Sequence, residues 1–93
     1  MLKYTFDPDR MDIQETSDGE DTEFRIQVIG EGQGAERVKQ VIRYFEDNKD
    51  YTDVLFYPYP DHVYKVIVRK EHYADFIAEL LKRRLLRSAE WMD

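Results

Sequence analysis

The spacing of apolar residues changes from a period of two to a helical period within 25 residues, and this change most restricts the fold. Phe24, Ile26 and Val28 alternate with polar residues over 23–29, which is typical of a strand with one buried face. Residues 35–48 place their apolar side chains on one half of a helical wheel. A strand followed directly by a helix is therefore predicted here.

Further elements flank this pair. Residues 53–59 and 63–69 have strand patterns, and the Tyr-Pro-Tyr-Pro-Asp-His segment between them predicts a bend, because proline cannot donate to a sheet. A second helix is predicted from about residue 71 to about 87. Toward the N-terminus, 2–6 and 11–16 alternate more weakly, and Asp18-Gly19 favours a hairpin turn before the strand at 23–29.

The order β-β-β-α-β-β-α predicts an α+β fold, with an antiparallel sheet of about four strands and two helices on one face. From Phe24 onward, the order β-α-β-β-α is that of a ferredoxin-like plait without its last strand. An N-terminal strand that pairs with 23–29 would complete a permuted plait. The predicted core consists of Phe24, Ile26, Val28, Val38, Ile42, Phe45, Val66, Val68, Phe76 and Leu80.

Length and composition exclude several classes of protein. Ninety-three residues form a single domain, 1–93, and the absence of cysteine excludes disulfide scaffolds and thiol nucleophiles. No apolar run approaches the ~20 residues of a membrane span, and the N-terminal residues lack a signal-peptide pattern. We therefore expect a cytoplasmic protein without a membrane partner.

The negative charge is local. Residues 7–23 contain eight acids and one base, whereas 24–93 contain twelve acids and twelve bases. We expect the acidic segment at 7–22 to be partly mobile. Because phosphate backbones bind basic surfaces, a neutral body with an acidic segment gives no electrostatic reason to bind nucleic acid, and we do not expect it as a partner.

The Gly30-x-Gly32-x-x-Ala35 segment matches a short dinucleotide-binding pattern. The chain is too short for the doubly wound sheet that this pattern needs, and Glu31 adds a negative charge beside the glycines. The preferred interpretation is a tight turn that begins a helix. The alternative is a sensor of small polar or anionic ligands that uses Gly30, Gly32 and Gly34.

Little in the sequence indicates catalysis. His62 and His72 are the only histidines, and neither has metal-ligand spacing to another. Ser17 and Ser88 lack the context of an activated nucleophile. The sequence predicts no enzyme activity, no metal and no cofactor.

Two surfaces are candidates for interaction. The open sheet face should carry Arg25, Gln27, Lys65 and Arg69, and Tyr57 and Tyr59 are candidates for the same face. Basic residues interleaved with aromatics make nucleic-acid binding on this face a further alternative. An ordinary solvated face and a dimer contact are the others.

The predicted second helix is apolar over a wider arc than one sheet can cover, with Leu86 alone on its polar face. The excess stripe of Leu81, Leu85 and Met92 predicts a weak homodimer, or a cover formed by the N-terminal hairpin of the same chain. The leading prediction is a small non-enzymatic binding or regulatory domain that acts through protein contacts.

Overall fold

The computed structural model describes residues 2–30, 32–48 and 54–92. In these ranges the chain forms six strands and two α-helices, with a short 3-10 turn at Lys70–His72. The strands are β1 (Leu2–Thr5), β2 (Met11–Asp18), β3 (Asp21–Val28), β4 (Val54–Tyr59), β5 (Val63–Arg69) and β6 (Ser88–Trp91), and the helices are α1 (Gly34–Asp47) and α2 (Tyr73–Lys82). No helix among these residues is long and apolar enough to cross a membrane.

The strands form two antiparallel sheets. The main sheet has the order β2-β3-β5-β4, and the terminal sheet pairs β1 with β6. The turn between β2 and β3 contains Gly19 at a φ of 62°, a backbone conformation that favours glycine. The predictions of an α+β fold and of an N-terminal strand paired with 23–29 are therefore confirmed. Within the acidic segment, β2 buries Met11 and Ile13.

The core lies between one face of the main sheet and both helices. The ring centroids of Phe24 on β3 and Phe76 on α2 are 4.8 Å apart, and those of Phe45 on α1 and Phe56 on β4 are 6.1 Å apart. Nine of the ten predicted core residues are buried, and Ile42 packs against the core half-buried. The alternation of apolar and polar residues in β3 and β5 therefore predicted correctly which face of each strand is buried.

The second helix is shorter than its sequence pattern predicts, because it ends at Lys82. The Leu85 N–H donates to the Leu80 carbonyl over 2.9 Å, and the Arg84 N–H donates to the Leu81 carbonyl over 3.0 Å. This pair of bonds, with Arg84 at a φ of 64°, is a Schellman motif. Glycine usually occupies the left-handed position. Because an arginine occupies it here, the sequence contains no glycine signal for the end of the helix.

This early end changes the environment of the residues that follow. Leu85 and Leu86 are both buried in the core, and Ser88–Trp91 pairs with β1 as β6. The predicted helical stripe of Leu81, Leu85 and Met92 is therefore wrong, since Leu85 is interior while Leu81 and Met92 are exposed. The placement of Leu86 on a polar helix face is wrong for the same reason.

A half-buried carboxylate connects the terminal sheet to the rest of the fold. The Tyr4 hydroxyl on β1 donates to Glu15 Oε1 on β2 over 2.9 Å, and the Tyr73 hydroxyl on α2 lies 3.1 Å from both Glu15 oxygens. Burial and the nearby Glu15 carboxylate raise the pKa of Tyr73 to about 12, and the same two causes raise the pKa of Tyr4. The phenols therefore remain protonated donors at neutral pH.

Candidate functional site

A cavity of about 400 Å³ opens where β2 begins, β3 ends and α1 starts. Four arginines from separate parts of the chain line it: Arg10, Arg37, Arg84 and Arg87. We call this feature the arginine cavity. Each arginine belongs to a segment whose backbone is fixed by hydrogen bonds, so their convergence is built into the fold.

Arg10 and Arg87 are held at one side by the turn that precedes β2. The Arg10 N–H donates to the Asp7 carbonyl over 3.0 Å, and the Arg87 N–H donates to the Thr5 carbonyl over 2.8 Å. The Asp7 Oδ2 atom lies 3.3 Å from Arg87 Nη2 and 3.6 Å from Arg10 Nε. One carboxylate therefore orients two guanidinium groups that are 77 positions apart in the sequence.

Arg37 and Arg84 come from the two helices. The Arg37 backbone N–H donates to the Gln33 carbonyl over 2.9 Å, and its Nη2 atom donates to Gln33 Oε1 over 3.3 Å. Arg84 occupies the left-handed position of the turn that ends α2. Among the described residues neither guanidinium forms an ion pair with a carboxylate. These two groups are the ones available to an external anion.

The charge of the cavity is opposite to that of the chain. Among its described lining residues, four arginines face a single acid, Asp7, which gives a net charge of +3. The whole chain carries −6. Positive charge concentrated in a concave site attracts anions more strongly than the same charge spread over a convex surface.

The glycine turn forms part of the cavity wall through Gly32 and Gly34. Gly30 and Gly32 have φ values of 75° and 128°, which side chains other than glycine rarely adopt. A Cβ atom on Gly34 would lie 2.9 Å from Val28 Cγ1, so glycine permits the start of α1 to approach β3 closely. Glu31, which we expected to add a negative charge beside the glycines, lies outside the described residues.

The remaining wall of the cavity is apolar. Met11, Val28 and Leu85 are buried beneath it, and Ile29 at its edge is 40% exposed. The cavity therefore combines a guanidinium side with a hydrocarbon side. Ligand sites of this size commonly have such mixed walls.

The open face of the main sheet is a separate surface at which the predicted residues do meet. Arg25 pairs in register with Lys65 across β3 and β5, and Tyr57 on β4 is the next residue in the same row. Lys65 lies 3.2 Å from Glu23, and Arg69 lies 3.7 Å from both Glu20 and Asp21. Gln27 is half-buried on this face as well. Acids neutralise much of the basic charge here.

The two histidines lie in unrelated places. His62 is in the turn between β4 and β5, and the His72 Nδ1 atom is 3.8 Å from Asp75 Oδ2 on the next helical turn. Within the part of the chain that the structure describes, no three acidic or histidine side chains are close enough to hold a metal ion.

Sequence reasoning identified the glycine turn but missed the four arginines. Their positions in the sequence share no spacing, and Arg84 and Arg87 fall within a basic cluster that also complements a helix dipole. The arrangement arises from tertiary contacts alone. No protein-family model, no curated protein and no solved structure matches this chain.

Proposed function

We propose that this protein is a non-catalytic binding domain that recognises a small anionic ligand in the arginine cavity. The observation that supports this function best is the convergence of four arginines around about 400 Å³ in a chain of net charge −6. Guanidinium groups donate several hydrogen bonds in a fixed plane and remain charged at any physiological pH, which suits carboxylates and phosphates.

Preorganisation supports the same proposal. Gln33 orients Arg37, and the turn after α2 fixes the backbone of Arg84. A site whose donors are already in place loses less side-chain entropy when a ligand binds. The side chains of Arg10 and Arg87 are 74% and 70% exposed, so we expect millimolar rather than nanomolar affinity for a simple inorganic anion.

We also propose that the main sheet and the two helices form a permuted ferredoxin-like plait. The strand order β2-β3-β5-β4 is the order of a ferredoxin-like plait in which the last strand has moved to the N-terminus. In this arrangement α1 follows the central strand β3, which brings the glycine turn to the end of the sheet beside the loop after α2. The permuted plait thus explains why chain segments so distant in sequence meet at one cavity.

Titration with inorganic phosphate tests the proposed function. Isothermal calorimetry at constant ionic strength should give saturable binding to the unmodified protein. Arg37→Ala and Arg84→Ala should each weaken it at least fivefold, because each removes a guanidinium that has no carboxylate partner among the described residues. Arg43→Ala, on the exposed side of α1, is the matched control and should leave the affinity unchanged. Binding that Arg43→Ala weakens as much as Arg37→Ala would contradict a localised site.

The open sheet face supports a second candidate function, which is weak self-association. Three apolar or aromatic residues of β4 are between 43% and 52% exposed, namely Leu55, Tyr57 and Tyr59. Lys65, which pairs with Tyr57 in register, lies 3.2 Å from the Glu23 carboxylate. We propose that this face, with Arg25, Gln27, Lys65 and Arg69 around the apolar residues, contacts a second copy. Analytical ultracentrifugation should show concentration-dependent mass that Tyr57→Lys abolishes and that Trp91→Lys, an exposed substitution in the terminal sheet, preserves. A monomer mass at every concentration would refute it.

A further inference from the structure

We propose that the ligand of the arginine cavity is an organic molecule with a dianionic head group and an apolar body. This inference rests on the proposed function and specifies the class of ligand.

The charged half indicates a head group with two negative charges. Arg10 and Arg87 already share the single charge of Asp7, while Arg37 and Arg84 have no carboxylate partner among the described residues. The described lining residues therefore retain a net charge of +3. A phosphate monoester carries about −1.5 to −2 at neutral pH and offers three acceptor oxygens, which suits several guanidinium donors at once.

The apolar half indicates that the head group is attached to a carbon skeleton. Met11, Val28 and Leu85 form the buried base of this half, and Ile29 leaves 40% of its surface exposed at the rim. A free inorganic anion would contact the arginines and leave Ile29 in water. A ligand with a ring or chain beside its head group would cover Ile29 and gain hydrophobic free energy.

The volume of the arginine cavity also agrees with a ligand that has a charged part and an apolar part. Clefts of roughly 300–1,000 Å³ accommodate whole organic ligands, and the arginine cavity has about 400 Å³. A single tetrahedral anion would fill only a small part of it. The ligand class that matches both halves is therefore a small organic phosphate or another dianion of similar shape.

Three probes at constant ionic strength and neutral pH test the inference: phenyl phosphate, inorganic phosphate and benzoate. Phenyl phosphate has both the ring and the dianion, inorganic phosphate lacks the ring, and benzoate has the ring with one charge. We expect phenyl phosphate to bind at least tenfold more tightly than either of the others in calorimetric titrations.

Two variants separate the apolar contact from the charged one. Ile29→Asn should weaken phenyl phosphate at least fivefold and leave inorganic phosphate unchanged. Leu55→Asn, which is similarly exposed on the open sheet face, should change neither affinity. Equal affinity for phenyl phosphate and inorganic phosphate would overturn this inference and leave the proposed function standing, whereas no binding of any of the three probes would overturn both.

Discussion

The Arg87 guanidinium donates to the Asp7 carboxylate over 3.3 Å, although the two residues are 80 positions apart. The contact joins the turn before β2 to the segment after α2, and both lie at the arginine cavity. The Arg87 side chain is 70% exposed, so the pair contributes little to stability. Its main consequence is for the charge and geometry of the cavity.

Replacing Asp7 by asparagine should strengthen anion binding. The substitution removes the negative charge that competes for Arg10 and Arg87, and the asparagine oxygen can still accept from the Asp9 N–H as Asp7 Oδ1 does. We expect a severalfold gain in phosphate affinity by calorimetry and a change in unfolding free energy below about 1 kcal/mol. Loss of affinity would show that the carboxylate acts chiefly by positioning the arginines.

Alkaline pH should destabilise the fold through Tyr4 and Tyr73. Unfolded tyrosines ionise near pH 10, whereas burial raises the pKa of Tyr73 to about 12. Between these values the folded chain holds more protons than the unfolded chain, so stability must fall as pH rises. Urea unfolding at a series of pH values, followed by circular dichroism, would measure this loss.

The control for this prediction is a variant with both Tyr4→Phe and Tyr73→Phe. Lys65, whose pKa is raised by its hydrogen bond to Glu23, titrates in the same direction and remains in the variant. A loss of stability above pH 10 that is equally steep in the variant would show that the two phenols are not responsible.

Arg84→Gly should stabilise the protein while it weakens anion binding. Arg84 has a φ of 64°, which costs a side chain other than glycine about 1 kcal/mol, and glycine removes that cost. Lys82→Gly, at the last residue of α2, is the contrasting variant and should destabilise by about 1 kcal/mol. Thermal unfolding of both variants measures the difference, and a lower melting temperature for Arg84→Gly would contradict the Schellman assignment.

Phe76→Ala should cost about 3–5 kcal/mol of unfolding free energy. Phe76 is fully buried, and its ring centroid lies 4.8 Å from that of Phe24 and 5.9 Å from that of Phe45. So small a domain can lose most of its stability by this change. Leu55→Ala, at an exposed position, is the control and should cost less than about 0.5 kcal/mol in the same urea titration.

Leu85→Asp should unfold the chain rather than produce a folded monomer. Leu85 is 6% exposed within a single chain, so the substitution removes a core side chain and places a charged group in its hydrocarbon surroundings. Leu81→Asp, where the side chain is already 39% exposed, should keep the native circular dichroism spectrum. A folded Leu85→Asp variant would show that the core does not need this residue.

The sequence predicted the elements of the main sheet because their signals are local. Alternation in 23–29 and 63–69 identified the buried faces of β3 and β5, and the Asp18-Gly19 pair identified the turn that adds β2 to the sheet. Each of these signals needs only a few adjacent residues, since side chains in a strand alternate between the two faces whatever lies around them.

Tertiary structure alone decided the end of α2 and the composition of the cavity. Residues 83–87 continue a helical pattern, yet burial of Leu85 and Leu86 and the pairing of β6 with β1 outweigh the cost of a left-handed arginine. Because α2 ends at Lys82, Arg84 and Arg87 lie at the same cavity as Arg10 and Arg37. No local pattern encodes such a meeting, because it depends on free energy gained between segments that are distant in sequence.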